Sequence, residues 1–337
     1  GSANAGELSV SGTAKATYNV ESGANKGKGL GITNELNFTA SGETDAGYAW
    51  SYSMELDPGA TTTNTDTEST QSAQNDDTKL TLTTPYGTVG MFISEGGLDV
   101  EDAASQSVYA RPTDMGGSDG TVDNFTIDAY NNLQYHTPAD LIPFGGSFKI
   151  AYAPDLDTYG SGNNSGVTAT EGTSSYVGRS ATEMQVSFDA IPMADGLKIG
   201  ASYFTFDKQG AAIKDQEAES GAYYATYSIG NVSLGYSQAY KALLVATAAN
   251  TGVEYYDQVN QSISYAINDD LSVGYNNFES EQTSGTNVTT EASSMQVAYS
   301  MGGASIRLAM GDVDNAAYQT TSTYDKEVTT LSVSLAF

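Results

Sequence analysis

Apolar and polar residues alternate with period two in segments of about ten residues, the pattern of a strand with one apolar face. Leu8, Val10, Gly12, Ala14, Ala16 and Tyr18 open the series, followed by Leu30, Ile32, Leu36, Phe38 and Ala40, then Tyr48, Trp50, Tyr52, Met54 and Leu56. Leu80/Leu82, Val89/Met91/Ile93, Leu133/Tyr135, Phe148/Ile150/Tyr152 and Met184/Val186/Phe188 continue it. The second half adds Leu197–Tyr203, Tyr223–Ile229, Val232–Tyr236, Val259–Tyr265, Leu271–Tyr275, Met295–Tyr299, Ile306–Met310 and Leu331–Phe337. Sixteen strands are counted, and no segment carries a helical period.

The connections alternate too. Short turns are read at Ser41–Gly47, Thr84–Thr88, Ile191–Gly196, Gly230-Asn231, Asn268–Asp270 and Gly302-Gly303. Between them lie long polar stretches: Asp57–Asp77, Ser94–Tyr130, Ala153–Ala181, Asp207–Ser220, Ala239–Glu254, Glu279–Glu291 and Gly311–Asp325. Short turns at one end and long loops at the other are the pattern of a closed transmembrane β-barrel. The positions opposite the apolar ones are polar: Ser9, Ser11, Thr13 and Lys15, then Lys79, Thr81 and Thr83. Closure pairs every backbone N–H and C=O between strands, as hydrocarbon requires. The expected fold is therefore all-β: one closed antiparallel 16-stranded transmembrane barrel spanning 1–337, with long extracellular loops and short periplasmic turns. Within it, 94–130 is a candidate inward-folding loop.

Composition sharpens this picture. The 337 residues hold 41 Asp plus Glu against 13 Lys plus Arg, a net charge of −28. Nucleic acid is excluded as a partner, because phosphate binding wants basic patches. Acidity alone can mark disorder, but 23 Tyr and 10 Phe argue for a folded chain. No apolar run reaches the roughly 18 residues of a membrane helix, and the low mean hydropathy of −0.33 fits strands that alternate lipid-facing and water-facing residues. The absence of cysteine excludes thiolate metal sites, disulfides and a cysteine nucleophile. Ala3-Asn4-Ala5 has the small-x-small form of a signal-peptide cleavage site.

Three passages resemble the general diffusion porins, the 16-stranded trimeric barrels of Gram-negative outer membranes. Thr84-Pro85-Tyr86-Gly87-Thr88-Val89-Gly90 is similar to the family's tight turn before its third loop. Asn132-Leu133-Gln134-Tyr135 with Phe144-Gly145-Gly146-Ser147-Phe148-Lys149-Ile150-Ala151-Tyr152 resembles its next strand pair. Leu331–Phe337 resembles the Phe-terminated signal read by the barrel-assembly machinery. The resemblance implies passive diffusion of small hydrophilic solutes and ions, a homotrimer, contact with outer-membrane lipid and lipopolysaccharide, and recognition of Phe337 by the assembly machinery. It also places 94–130 at the loop that narrows the pore. The family's dense arginine cluster is missing, which puts its usual transverse field in doubt.

The candidate constriction loop carries Glu95, Asp99, Glu101, Asp102, Asp114, Asp119, Asp123 and Asp128 against the single Arg111. Fixed negative charges inside a pore attract cations and repel anions, so a cation-preferring pore is expected; the bland alternative is solvated loop carboxylates. Strand parity turns Lys15, Lys79, Lys149 and Arg307 toward the lumen, with Lys198 near a turn, and Glu35, Glu55, Glu183 and Asp189 likewise. A charge on the lipid face would cost about 2–4 kcal/mol at midplane. Lys15 and Lys79 are the expected basic wall opposite the loop.

Other chemistry is thin. His136 is the only histidine, and no catalytic triad is met around it, so no enzyme is expected. No cofactor is expected either, apart from Ca²⁺ at acidic outer loops, where Asp76-Asp77 and Asp155-x-Asp157 offer hard oxygen ligands. Two alternatives to a general pore remain: a substrate-selective channel with a binding site in the lumen, and a non-channel surface barrel or adhesin.

Overall fold

A computed structural model describes residues 7–23, 27–57, 74–115, 120–154, 168–171, 174–177, 180–207, 216–245, 253–283 and 286–337. Its first strands are β1 (Glu7–Glu21), β2 (Gly27–Glu43), β3 (Ala49–Asp57), β4 (Gln74–Thr84), β5 (Gly87–Ile93), β6 (Asn132–His136) and β7 (Ser147–Ala153). A separate hairpin, β8 (Thr168–Glu171) and β9 (Ser174–Val177), follows. Then come β10 (Ala181–Phe188), β11 (Leu197–Phe206), β12 (Glu219–Ile229), β13 (Val232–Ala242), β14 (Tyr255–Ala266), β15 (Leu271–Thr283), β16 (Val288–Met301), β17 (Ala304–Asp314) and β18 (Lys326–Ala336). All except β8 and β9 form one closed barrel of 16 antiparallel strands, each paired with its neighbour in sequence and β1 with β18. Closure is finished by mutual backbone hydrogen bonds between Gly12 and Phe337, at 2.7 and 3.0 Å.

The barrel is apolar outside and polar inside. Leu80, Met91, Leu133, Leu234, Ile263, Val297, Met310 and Leu331 are all exposed on its outer face, a far larger apolar surface than the few hundred Å² a soluble protein shows. Outward Tyr135, Phe148, Tyr227, Tyr265 and Tyr299 sit near the short-turn ends of their strands, and Tyr152, Tyr203, Tyr240 and Tyr255 near the other ends. Aromatic rings in two girdles match the two interfaces of a bilayer.

Strands on the long-loop side run further than their apolar alternation does. The β15–β16 connection, expected across Glu279–Glu291, shrinks to residues 284–287, and β1 and β2 are joined by residues 22–26 alone. Above the lipid band neither face is apolar, so alternation stops while backbone pairing continues. Outward carboxylates mark the border: Glu281 stands opposite Asp257, Glu291 opposite both Glu279 and Asp314, and Asp312 opposite Glu327.

Candidate functional site

The connection from β5 to β6, residues 94–131, is loop 3, and it runs inside the barrel. Along its outgoing arm a polar side chain from one strand after another meets the loop backbone. Glu183 Oε2 accepts the Leu98 N–H at 3.0 Å, and Gln185 donates to the Leu98 carbonyl at 2.9 Å. Ser202 Oγ accepts the Val100 N–H at 3.1 Å, and Ser237 donates to the Glu101 carbonyl at 2.5 Å. Ser262 bridges Ala104 and Gln106, Gln296 accepts from Val108 and Tyr109, and Ser294 donates to Ala110. The arm thus crosses the inner wall from β10 to β16.

The return arm packs on apolar side chains. Phe125 stacks on Phe204 at 5.7 Å, meets Phe206 edge-on at 5.1 Å, and lies 4.2 Å beneath the Lys241 ammonium. Leu98, Ile127, Leu243, Leu244, Tyr256 and Tyr318 complete this internal core. Glu183 ties the two arms together, since Oε2 also accepts the Ile127 N–H at 3.0 Å. A buried backbone polar group without a partner is costly, and these side chains let a loop lie against a wall it could not otherwise occupy.

The open lumen is what this packing leaves. Inward Asn276, Ser280 and Thr290 are fully buried and Gln296 is 2 % exposed. Across the barrel, inward Ser11, Thr13, Lys15 and Thr33 are exposed. Water therefore has its path along the β1–β2 side, bounded opposite by loop 3.

Cross-strand partners share a face, so register carries the lumen face round the barrel. Gln185 stands opposite Lys149, and Lys149 opposite His136. Asn132, which binds loop 3, pairs with Phe92, and Phe92 with Lys79. Glu55 pairs with Asn37, Glu35 with Thr13, Lys15 with Ser334, and Ser332 with Arg307. Lys15, Glu35, Glu55, Lys79, Lys149 and Arg307 all point inward, as does Glu183.

The loop charges divide into two groups. Asp99 is turned to the wall and Glu101 to the return arm of the loop. Asp99 accepts from Ser202 Oγ at 2.9 Å and Asn124 Nδ2 at 3.3 Å, and Glu101 accepts the Asn124 N–H at 3.1 Å. Asp102 and Asp114 are more open, with side chains 49 % and 39 % exposed, and both pair with Arg111. Glu95 pairs with Lys79 on β4. Asp123 is exposed; Asp119 lies outside the described residues. Arg111 is lowered by burial, but Asp114 and Asp102 more than offset this and hold its proton more tightly.

Burial pushes the Asp99 carboxyl above the ordinary carboxylate range, and burial together with Asp99, Asp102 and Asp123 pushes Glu101 well above it. A carboxyl whose folded value is raised stabilises the packed loop below its unfolded value, and that stabilisation is lost as pH rises through the folded value. Protection of the amides around Val100, corrected for intrinsic exchange rate, is therefore expected to fall as pH climbs above the ordinary carboxylate range. Asp99→Asn with Glu101→Gln should flatten that profile, as read by hydrogen exchange.

Sequence reasoning missed the wall residues that hold the loop: Gln185, Ser202, Ser237, Ser262, Ser294 and Gln296. The signal lay in the inward positions of β11–β17, where small residues recur. A Cβ at Gly235 would overlap the Ala104 carbonyl oxygen, and one at Gly311 would stand 2.7 Å from Met115 Sδ. Of the Ca²⁺ candidates, Asp155 and Asp157 lie outside the described residues, and the Asp76 side chain is not described. Among the described residues no group of three acidic or histidine side chains is arranged to hold a metal ion.

No protein-family model and no curated protein matches the chain by sequence. Its likeness is to solved structures. A porin structure is 17 % identical, with a TM-score of 0.66 over 98 % of this chain and 100 % of the other. Salmonella typhi OmpF, in a complex with daunomycin, is 13 % identical, with a TM-score of 0.67 over 98 % of each chain. A triple mutant of Rhodopseudomonas blastica porin is 14 % identical, with a TM-score of 0.62 over 98 % of this chain and 100 % of that one. A single barrel of 16 antiparallel strands, matched over nearly its whole length, gives this chain the general diffusion porin fold.

Proposed function

We propose that the chain is an outer-membrane pore through which small hydrophilic solutes and ions diffuse passively, with a preference for cations. One observation carries this reading: an apolar outer face surrounds a polar interior in which loop 3 occupies one wall and leaves the β1–β2 side open to water. Barrels of about 16 strands are wide enough to keep an aqueous channel. Passage is then limited by cross-section and by the field of the lumen charges. His136 Nε2 is 2.7 Å from Gln134 Oε1 and stands opposite Lys149 on the lumen face.

The liposome-swelling assay tests the pore. Swelling rates should fall smoothly with sugar size and show no saturation. Saturation by one sugar would favour a substrate-selective channel, and no swelling would favour a non-conducting surface barrel.

Cation preference rests on the exposed acids at the loop tip. Each unit charge about 6 Å from a permeating ion in water is worth about 0.7 kcal/mol, favourable for K⁺ and unfavourable for Cl⁻, or about tenfold in their permeability ratio. Asp102→Asn should lower the K⁺/Cl⁻ ratio by up to that factor and Arg111→Gln should raise it, both read from zero-current potentials in a KCl gradient.

Association into a homotrimer fits the outer face of β1 and β2, where Leu8, Val10, Leu30 and Ile32 are 57–65 % exposed around small Ala14 and Ala16. Phe337, exposed at the barrel seam, is free for the assembly machinery to grip.

A further inference from the structure

The connection from β17 to β18, residues 315–325, turns back into the barrel before it reaches β18. It does so through a short left-handed turn, in which Asn315, Ala317 and Tyr318 have φ of 55°, 54° and 57°. None of the three is glycine, and L side chains rarely adopt this region without cost. Such backbone persists only where its surroundings over-determine it.

The inner wall supplies those surroundings. Thr290 Oγ1 donates to the Asn315 carbonyl at 2.8 Å and accepts the Tyr318 N–H at 3.3 Å. Asn315 Nδ2 donates to the Thr289 carbonyl at 3.0 Å. Ala316, 1 % exposed, is buried with Phe278, Ala292 and Val313. Tyr318 is thereby driven inward, its ring 5.4 Å from that of Tyr256 on β14.

The strand ladders do not use this contact, but loop 3 does. The Tyr318 hydroxyl, 2.8 Å from Ser280 Oγ, accepts the Val122 N–H at 3.3 Å, and Gln258 donates to the Val122 carbonyl at 2.6 Å. At Val122 the return arm therefore hangs between the wall and the last outer loop. Gly120 lies so close to the turn that a Cβ there would stand 2.9 Å from Ala317 Cβ. Residues 319–323 are exposed. One end of this segment meets the solvent, and the other grips the loop that bounds the water path.

We propose that residues 315–318 form a sprung strap that sets how long the pore stays open. Lowered, it latches the return arm of loop 3; lifted, it lets the arm swing into the water path. Strain supplies the spring, because lifting releases three residues from the left-handed region. The hydrogen bonds and ring packing of Tyr318 oppose it and keep the lifted form a minor population. A pull on residues 319–323 from outside then reaches the constriction without entering the pore. The strap rests on the chain being an open pore, and its test separates the two ideas.

The experiment counts closures by single-channel recording and liftings by hydrogen exchange at the Val122 amide. Ala317→Gly relieves the left-handed turn and should lower both about threefold. Ala317→Val, β-branched in the same turn, should raise both about tenfold or more. Tyr318→Phe keeps the ring but removes the acceptor of the Val122 N–H, so closures should rise about fivefold. Closures alone decide in that variant, since its Val122 amide has lost its bond in either state. Thr320→Ala, on the exposed segment, should match wild type. Equal closure rates in Ala317→Gly and Ala317→Val, or the reverse order, overturn the strap and leave the pore standing. Exchange that follows the expected order while closures stay constant overturns the link between strap and pore. Absent conductance overturns the pore, and exchange in the two Ala317 variants still decides whether the turn latches the arm.

Discussion

Replacing Glu183 with alanine is expected to release loop 3 from the barrel wall while the barrel itself still assembles. One carboxylate oxygen accepts the amides of Leu98 and Ile127, each at 3.0 Å, and so joins the outgoing and return arms of the loop. The side chain is fully buried, so alanine admits no ready substitute acceptor. Two orphaned buried amides cost about 1–3 kcal/mol each, enough to loosen the loop where its two arms meet. The strand ladders do not pass through this group, so the loss is local. Glu183→Gln keeps an acceptor oxygen in place and should behave like wild type. The pair is read by single-channel noise and by amide exchange at residues 98–127. Alanine should give flickering current and fast exchange, and glutamine neither. Quiet current and slow exchange in the alanine variant would mean that the loop is held elsewhere.

The second large effect is expected at Gly235. Its backbone lies so close to loop 3 that any Cβ overlaps the Ala104 carbonyl oxygen. Ser262, on the neighbouring strand, donates to that carbonyl at 2.6 Å and accepts the Gln106 N–H at 2.9 Å. Gly235→Val forces the arm off the wall and breaks both bonds, a local cost of about 2 kcal/mol at about 1 kcal/mol each, or about thirtyfold more opening of the segment. The arm has only the channel to move into, so mean conductance should fall. Gly230→Ala, where a Cβ meets open space in the β12–β13 turn, is a control for glycine loss on the same hairpin. It carries a left-handed backbone, so its cost should appear in stability and not in conductance. A Gly235→Val channel with wild-type conductance and wild-type exchange would contradict the placement of the loop.

The barrel was legible because its physics is periodic. Lipid outside and water inside impose period two on every strand, so segments as plain as Leu271/Val273/Tyr275 could be read one by one. The same parity turned Lys15, Lys79 and Arg307 inward. Where that constraint ends, legibility ends: β15 and β16 run past the lipid band through Glu279 and Glu291 without any alternation to announce them. Loop 3 obeys no period at all. Its path is fixed by contacts between residues far apart in sequence, such as Val108 with Gln296, and no local pattern encodes them. Asp99 and Glu101 illustrate the consequence. As loop carboxylates they are indistinguishable in sequence from Asp102, yet Ser202 draws Asp99 to the wall and Asn124 draws Glu101 to the return arm, while Asp102 stays open to the lumen. Position inside the barrel, and not residue type, decides which acids a passing ion meets.

The central claim is that this barrel holds an open aqueous path beside an inward-folded loop. Reconstitution into a planar lipid bilayer tests it most directly, with conductance steps and zero-current potential recorded across a KCl gradient. Discrete, long-lived steps with a cation-selective reversal potential are the predicted result. A bilayer that stays silent with folded protein inserted would contradict the claim.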